Sequence, residues 1–323
     1  MVLDAKLYSV KQKVLIITSI LFLFTTIIMS GFYLNSRDNM TKEQQMYPLL
    51  AKRLFLENPS DVLINFQPLR KDIKQYLDSA GVKHSFYFEY LFTGSNIRYG
   101  EDNQLIGASL MKIPVVMDLY KAAELGKIDL NQSVTVKAED ISQDTQFGNL
   151  SKLKVGDTIT LREAAKIALT ESDNTTAQLV YNSTLELLPP EYQAVNNLDI
   201  ETNLGDSDQG KLSLISARSY SSFLKCLYFS CFLTPEHSQE ILTALKNHNQ
   251  VDEQRIKAGL PDNIEVTQKI GSFSNITQSD CGIVYVPNRR YILCVMLDEE
   301  ADKANQHIKV LSKKVYDYVS KVN

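Results

Sequence analysis

The strand-forming segments of this chain stand near its two ends, and one end lacks enough of them to build a sheet alone. "KHSFYFEYLFTGSNIRYG", residues 83–100, places aromatic and β-branched residues on both sides of Thr93-Gly94-Ser95-Asn96 and reads as strand, turn, strand. A two-stranded hairpin is only marginally stable in water. The other strand-like stretches lie far downstream: "IEVTQKIGSF" (264–273), "CGIVYV" (281–286) and "YILCVML" (291–297), the last two joined by "PNRR". The two groups are expected to share one antiparallel sheet. Everything between them becomes an insertion, and it reads helical. "SLMKIPVVMDLYKAAEL" (109–125), "TLREAAKIALTES" (160–172), "SLISARSYSSFLKCLYF" (213–229) and "TPEHSQEILTALKN" (234–247) carry apolar residues at helical spacing, with Thr160 as a cap and Pro235 in a first turn. The predicted fold class is α+β: an antiparallel sheet flanked by terminal helices at about 61–80 and 301–321, plus an all-helical subdomain at about 109–262. A ligand would bind in the cleft between the two parts.

Upstream of this domain, "VLIITSILFLFTTIIMSGFY" (14–33) is uncharged and mostly apolar. A run of about 20 such residues spans a bilayer as a helix. Lys6, Lys11 and Lys13 precede it and favour a cytoplasmic N-terminus, while Arg37 and Lys42 beyond it are accompanied by Asp38 and Glu43. The alternative is a cleaved signal peptide, whose apolar core is shorter and ends in a small-x-small site; Ile28 and Ser30 before Gly31 match that poorly. The expected organisation is a cytoplasmic segment 1–13, a transmembrane anchor 14–34, a polar stalk 35–60 carrying "ENPSD", and an extracytoplasmic domain 61–323 held at the cell membrane.

A net charge of −4 with no basic stripe excludes a nucleic-acid surface. The four cysteines do not form a disulfide framework. Cys226 and Cys231, five apart in a helical pattern, stand too far around a helix to bridge. Cys281 and Cys294 flank a hairpin turn; buried thiols are expected there, with a diagonal bridge as the alternative. His84, His237, His248 and His307 stand apart, no metal-ligand spacing occurs, and neither a metal nor another cofactor is expected. A monomer is expected.

Three short motifs carry chemistry. In "LIGASLMKIPVV" (105–116), Ser109 opens a helix and Lys112 follows three positions later, so the two side chains share one side. A serine is a weak nucleophile until a base takes its proton, and a lysine serves as that base only when neutral. Leu110, Met111, Ile113, Val115 and Val116 could supply the burial that this requires. Ser172-Asp173-Asn174 falls between two helical segments, where it also suits a plain turn. Lys269-Ile270-Gly271-Ser272 lies on a predicted strand, where a glycine permits close approach of a ligand or another backbone.

S-x-x-K opening a helix, S-D-N in a loop and K-x-G on a late strand, in that order, resemble the signature of class A β-lactamases and penicillin-binding proteins. The resemblance extends over about 61–323 and includes "KVGDTITLREAAKIALTESDNTTAQLV" and "SDCGIVYVPNRRYILCVM". It implies a serine hydrolase in which Ser109 is acylated, Lys112 is the base or part of its relay, and Ser172 passes a proton toward the leaving nitrogen. It implies too that Asn174 binds the substrate's amide side chain and that Lys269 offers positive charge to Ser172 and to the substrate carboxylate. The N–H groups of Ser109 and Ser272 would form an oxyanion hole, with Gly271 between Ser272 and the rest of the motif. The implied ligand is a β-lactam or a peptidoglycan stem peptide. Two departures stand out. Ile270 replaces the family's usual hydroxyl, leaving Ser272 and Ser274 as nearby substitutes. The deacylation pattern E-x-x-L-N is met only by "LDIETNLG", with Glu201 and Leu204 but Gly205 in place of Asn, without the usual anchoring arginine, and with Asp206 and Asp208 close by. Acylation is therefore better supported than turnover. The implied activity is β-lactam hydrolysis; the alternatives are a D-alanyl-D-alanine peptidase and a non-catalytic domain that binds penicillin or cell-wall peptides.

Overall fold

The computed structural model describes residues 15–34, 64–141, 153–207, 210–247 and 255–321, without the side chains of 204–212. The chain divides into two compact units, residues 1–63 and 64–323. In the first, helix α1 (Leu15–Leu34) is long and apolar enough to cross a membrane by length and composition. The predicted stalk and its "ENPSD" cap lie outside the described residues.

The second unit is built on a five-stranded antiparallel sheet in the order β2-β1-β10-β9-β8. Its strands are β1 (Lys83–Tyr90), β2 (Ser95–Tyr99), β8 (Val266–Phe273), β9 (Thr277–Val284) and β10 (Tyr291–Asp298). Both chain ends thus contribute to one sheet, joined where Phe86 faces Val295 and Tyr90 faces Tyr291. Strand alternation divides the side chains between two cores. Phe86, Phe88, Leu293 and Val295 point to one face and pack against helices α2 (Gln67–Ala80) and α9 (Ala301–Lys321) through Leu69, Ile73, Ile308 and Leu311. Tyr87, Ile283, Ile292 and Met296 point to the other face, into the core shared with the inserted helices.

The insertion carries α3 (Lys112–Glu124), α4 (Leu161–Thr170), α5 (Asn174–Thr184), the single turn α6 (Ala194–Asn197), α7 (Ala217–Phe229) and α8 (Pro235–Lys246). Thr160 caps α4 by accepting from the Glu163 N–H, and Thr234 caps α8 by accepting from that of His237. The insertion also holds short strands: β4 (Ser133–Thr135) pairs with β5 (Thr158–Thr160), and β3 (Leu105–Ile106), β7 (Gly210–Ile215) and β6 (Thr202–Ser207) form a small sheet in the order β3-β7-β6. "SLISA" therefore ends a strand rather than starting a helix, and α7 begins only after Ser216 caps it.

Both cysteine pairs are bridged, Cys226 to Cys231 and Cys281 to Cys294. This corrects the expectation of thiols. Cys231 lies beyond the end of α7, where left-handed Ser230 (φ 53°) turns the chain back and brings the two Cα atoms to 5.0 Å. Cys281 and Cys294 are directly opposed on β9 and β10, not diagonal.

Candidate active site

Ser109 lies in a 3-10 turn, Ala108–Met111, that runs into α3 at Lys112. In a 3-10 turn residues i and i+3 eclipse, so Lys112 stands directly under Ser109. Its Nζ is 3.0 Å from Ser109 Oγ. The turn starts from Ala108, whose φ of 45° places a non-glycine residue in the left-handed region at a cost of about 1–2 kcal/mol.

Ser172 has the same left-handed backbone, with φ 55°. Asp173 then caps α5 by accepting from the Thr176 N–H at 2.7 Å, and Asn174 begins the helix. The S-D-N motif is thus a sharp turn whose middle residue caps a helix, and it delivers its flanking side chains to Lys112. Lys112 Nζ lies 3.1 Å from Ser172 Oγ and 2.6 Å from Asn174 Oδ1, and it also reaches the Ser172 carbonyl oxygen. From β8, Lys269 donates to Ser172 Oγ at 2.7 Å and to the Ile270 carbonyl at 3.2 Å. Lys112, Ser172 and Lys269 are all buried. Burial, and after it the charge of Lys112 close by, hold Lys269 well below the usual lysine range.

Gly271 explains how β8 comes so close. A Cβ there would lie 2.9 Å from the Gly107 carbonyl oxygen and 3.0 Å from Leu110 Cγ. Only a residue without a side chain lets the strand pack on the turn that holds Ser109. β8 is an edge strand of its sheet. Ser272 Oγ accepts from Arg255 at 2.8 Å, which fixes the hydroxyl in place while leaving its O–H to donate.

Arg255 was not singled out by the sequence. Its five N–H donors bond Asn305 Oδ1, Gly271 O, Ser279 O, Ser272 Oγ and Gln278 Oε1, and so tie β8 to β9 and α9. Burial lowers this guanidinium to about 10, and nearby Asp280 opposes that shift. A lone arginine in a polar stretch looks like a surface residue, so no local pattern marks it. Asp280, a carboxylate within an otherwise buried strand, was the available signal; its Oδ2 accepts from the Ile256 N–H at 3.0 Å, next to Arg255.

Glu201 does not join this group. Strand register sends the two apart: the chain leaves β3 for Ser109 through Gly107, whose N–H bonds Ser213 O at 2.9 Å. Glu201 precedes Thr202, which pairs with Ile215, at the opposite end of the small sheet. There it is exposed and lines an open, polar cleft of about 450 Å³ with Glu101, Asp102 and Asn203, among others. Leu204 is the residue paired with Ser213, so it is β6 beyond Leu204 that runs on past the Ser109 end. The Asp206 side chain and all of Asp208 lie outside the described part. Among the described residues, no group of His, Cys, Asp and Glu is suited to hold a metal ion.

A model of the β-lactamase enzyme family matches residues 68–319. The β-lactamase of Bacillus licheniformis is 26% identical over 223 residues, which are 66% of this chain and 71% of that protein. The solved structure of PBP-A superposes with a TM-score of 0.70 at 22% identity, covering 79% of this chain and 97% of that one. A mutant of PBP-A, solved as an acyl-enzyme complex with penicillin-G, gives the same values. An ancestral class A β-lactamase gives a TM-score of 0.67 at 22% identity, covering 77% and 99%. The chain has the fold of these proteins, and it belongs to the β-lactamase enzyme family.

Proposed function

We propose that this protein is a membrane-anchored serine hydrolase of the β-lactamase type, which opens β-lactam rings through an acyl-enzyme on Ser109. The observation that carries this reading is the hydrogen-bonded chain Ser109–Lys112–Ser172–Lys269. Two of the acceptors around Lys112, the Ser172 carbonyl and Asn174 Oδ1, can only accept. In this reading they orient the Lys112 amine so that, once it has given up a proton, its lone pair faces Ser109 Oγ. Lys112 then removes the Ser109 proton as Oγ attacks the lactam carbonyl. The N–H groups of Ser109 and Ser272 receive the developing oxyanion; losing one such donor costs about 100- to 1000-fold in rate. Ser172, whose oxygen accepts from Lys269, gives its own proton to the leaving nitrogen as the C–N bond breaks, and the Lys112 ammonium restores it. Asn174 and Lys269 hold the substrate's amide and carboxylate ends.

Deacylation is the weaker half. Glu201 sits at the far end of the small sheet from Ser109, so in this reading water attacks the acyl-enzyme slowly. That placement favours a second reading, a D-alanyl-D-alanine peptidase that forms the same acyl-serine with a peptidoglycan stem peptide. The full chain should be incubated with a fluorescent penicillin and a chromogenic cephalosporin. Covalent labelling that is lost in Ser109→Ala supports acylation, and rapid colour assigns hydrolysis. A persistent label without colour assigns the peptidase. Labelling that survives Ser109→Ala, or no labelling of the wild type, refutes both.

A further inference from the structure

A second cavity, of about 270 Å³, opens between α3, α4 and α8, away from the Ser109 cleft. Val116 and Tyr120 of α3, Ala165 and Leu169 of α4, and Ile241 and Ala244 of α8 form its walls, and the two alanines leave the space. The lining is mainly apolar, with Lys166, Glu240, Thr243 and Asn247 also facing in. The charges around it are matched: Arg162 bonds Glu240, and Lys166 lies 3.2 Å from Glu163. Paired charges give no net pull on a charged ligand, and an apolar wall penalises a buried ion. Tyr120 presents a hydroxyl held near Glu240, whose hydrogen bond, after burial, raises the phenol well above its ordinary range. An engineered cavity of about 150 Å³ admits benzene. The present cavity suits a molecule nearly twice that size.

We propose that this cavity binds a neutral, largely apolar small molecule of about two fused rings, and that its occupancy changes the rate of Ser109 acylation. The coupling follows from position and rests on the reading of Ser109 given above. Val116 lies one helical turn beyond Lys112, and Thr170, which also lines the cavity, stands two residues before Ser172. A ligand wedged between α3 and α4 therefore bears on the two elements whose separation sets the contact between Lys112 and Ser172.

Indole is a suitable probe, because the chain contains no tryptophan and indole emission is free of protein background. With the full chain in lipid vesicles, which add no scaffold protein, indole anisotropy should rise with a dissociation constant of about 0.1–1 mM. Ala244→Leu, which fills the cavity from its partly buried wall, should abolish that rise against the same lipid background. Ala165→Val should do so independently if the first variant is unstable. Tryptamine and indole-3-carboxylate, each charged, should bind about ten-fold more weakly or worse. Saturating indole should change the rate of fluorescent-penicillin labelling about five-fold or more in the wild type but not in Ala244→Leu. No anisotropy change, or one that both filled variants retain, overturns the site. Binding without a change in labelling overturns the coupling. Absence of labelling with and without indole counts against acylation of Ser109, and leaves the anisotropy result to decide the site by itself.

Discussion

Replacing Gly271 by alanine tests whether β8 must touch the turn that carries Ser109. The added Cβ would stand 2.9 Å from the Gly107 carbonyl oxygen and 3.0 Å from Leu110 Cγ. Carbon atoms pack at about 3.5–4.0 Å, so relief needs a movement of about 0.5–1 Å. Neither neighbour yields easily. The Gly107 carbonyl accepts from the Leu110 N–H at 3.0 Å, the Gly107 N–H is bonded to Ser213, and Leu110 is fully buried. Overpacking of this kind costs about 1–3 kcal/mol. For a domain of this size that lowers the melting temperature by roughly 2–10 °C. The same shift separates Ser272 from Ser109 and moves Lys269 from Ser172; a displacement of about 1 Å in such a site costs about 100-fold in rate. The assay is thermal melting together with the single-turnover rate of labelling by fluorescent penicillin. A Gly271→Ala protein that melts within 1 °C of wild type and is labelled at the wild-type rate would refute the close-approach argument.

Asp118 on α3 accepts from the Ala194 N–H at 2.7 Å, and burial pushes its carboxyl up to about 7 from 3.8. The folded state therefore prefers the protonated acid, and stability from this group is complete below about pH 4 and is lost as pH rises to about 7. Asp118→Asn should remove that loss and raise stability at pH 8 by up to about 4 kcal/mol, read from urea unfolding at pH 4 and pH 8; equal gains at both pH values would contradict it. Arg255→Met should leave the buried Gly271, Ser279 and Gln278 oxygens without their donor and release Ser272, lowering stability by about 1–3 kcal/mol in urea unfolding; an unchanged midpoint would contradict it. The double change Cys281→Ala, Cys294→Ala should cost about 2–3 kcal/mol through loop entropy, and unchanged unfolding would show that the bridge adds nothing.

The sheet shared by both chain ends was legible because its strands are nearly continuous apolar and aromatic runs. The catalytic-type motifs were legible because their order along the chain is specific even though each alone is common. What escaped the sequence was decided by tertiary contact. "SLISA" is periodic enough for a helix, yet pairing with β3 and β6 makes it strand before Ser216 caps α7. The Cys226–Cys231 bridge depends on a left-handed serine between them, a backbone state for which Ser carries no signal. Arg255 gains its place from five acceptors on β8, β9 and α9, and no window around residue 255 contains them. Glu201 sits in an E-x-x-L pattern, but its position was set by the register of β6 against β7, which a pattern cannot read.

The pairing of β1 with β10 also has a consequence for how the protein matures. Residues 83–90 must wait for residues 291–298 before the sheet closes, a separation that makes folding slow and strongly non-local. Ser109 and Lys112 are synthesised early, but the partner that completes their surroundings, Lys269, comes on the strand that docks only when the C-terminal third has been made and delivered. During biosynthesis Ser109 is therefore present before Lys269 reaches Ser172. Under the proposed acylation of Ser109, a nascent or stalled chain would be kept silent by topology alone and would gain reactivity only with the final closure of the domain.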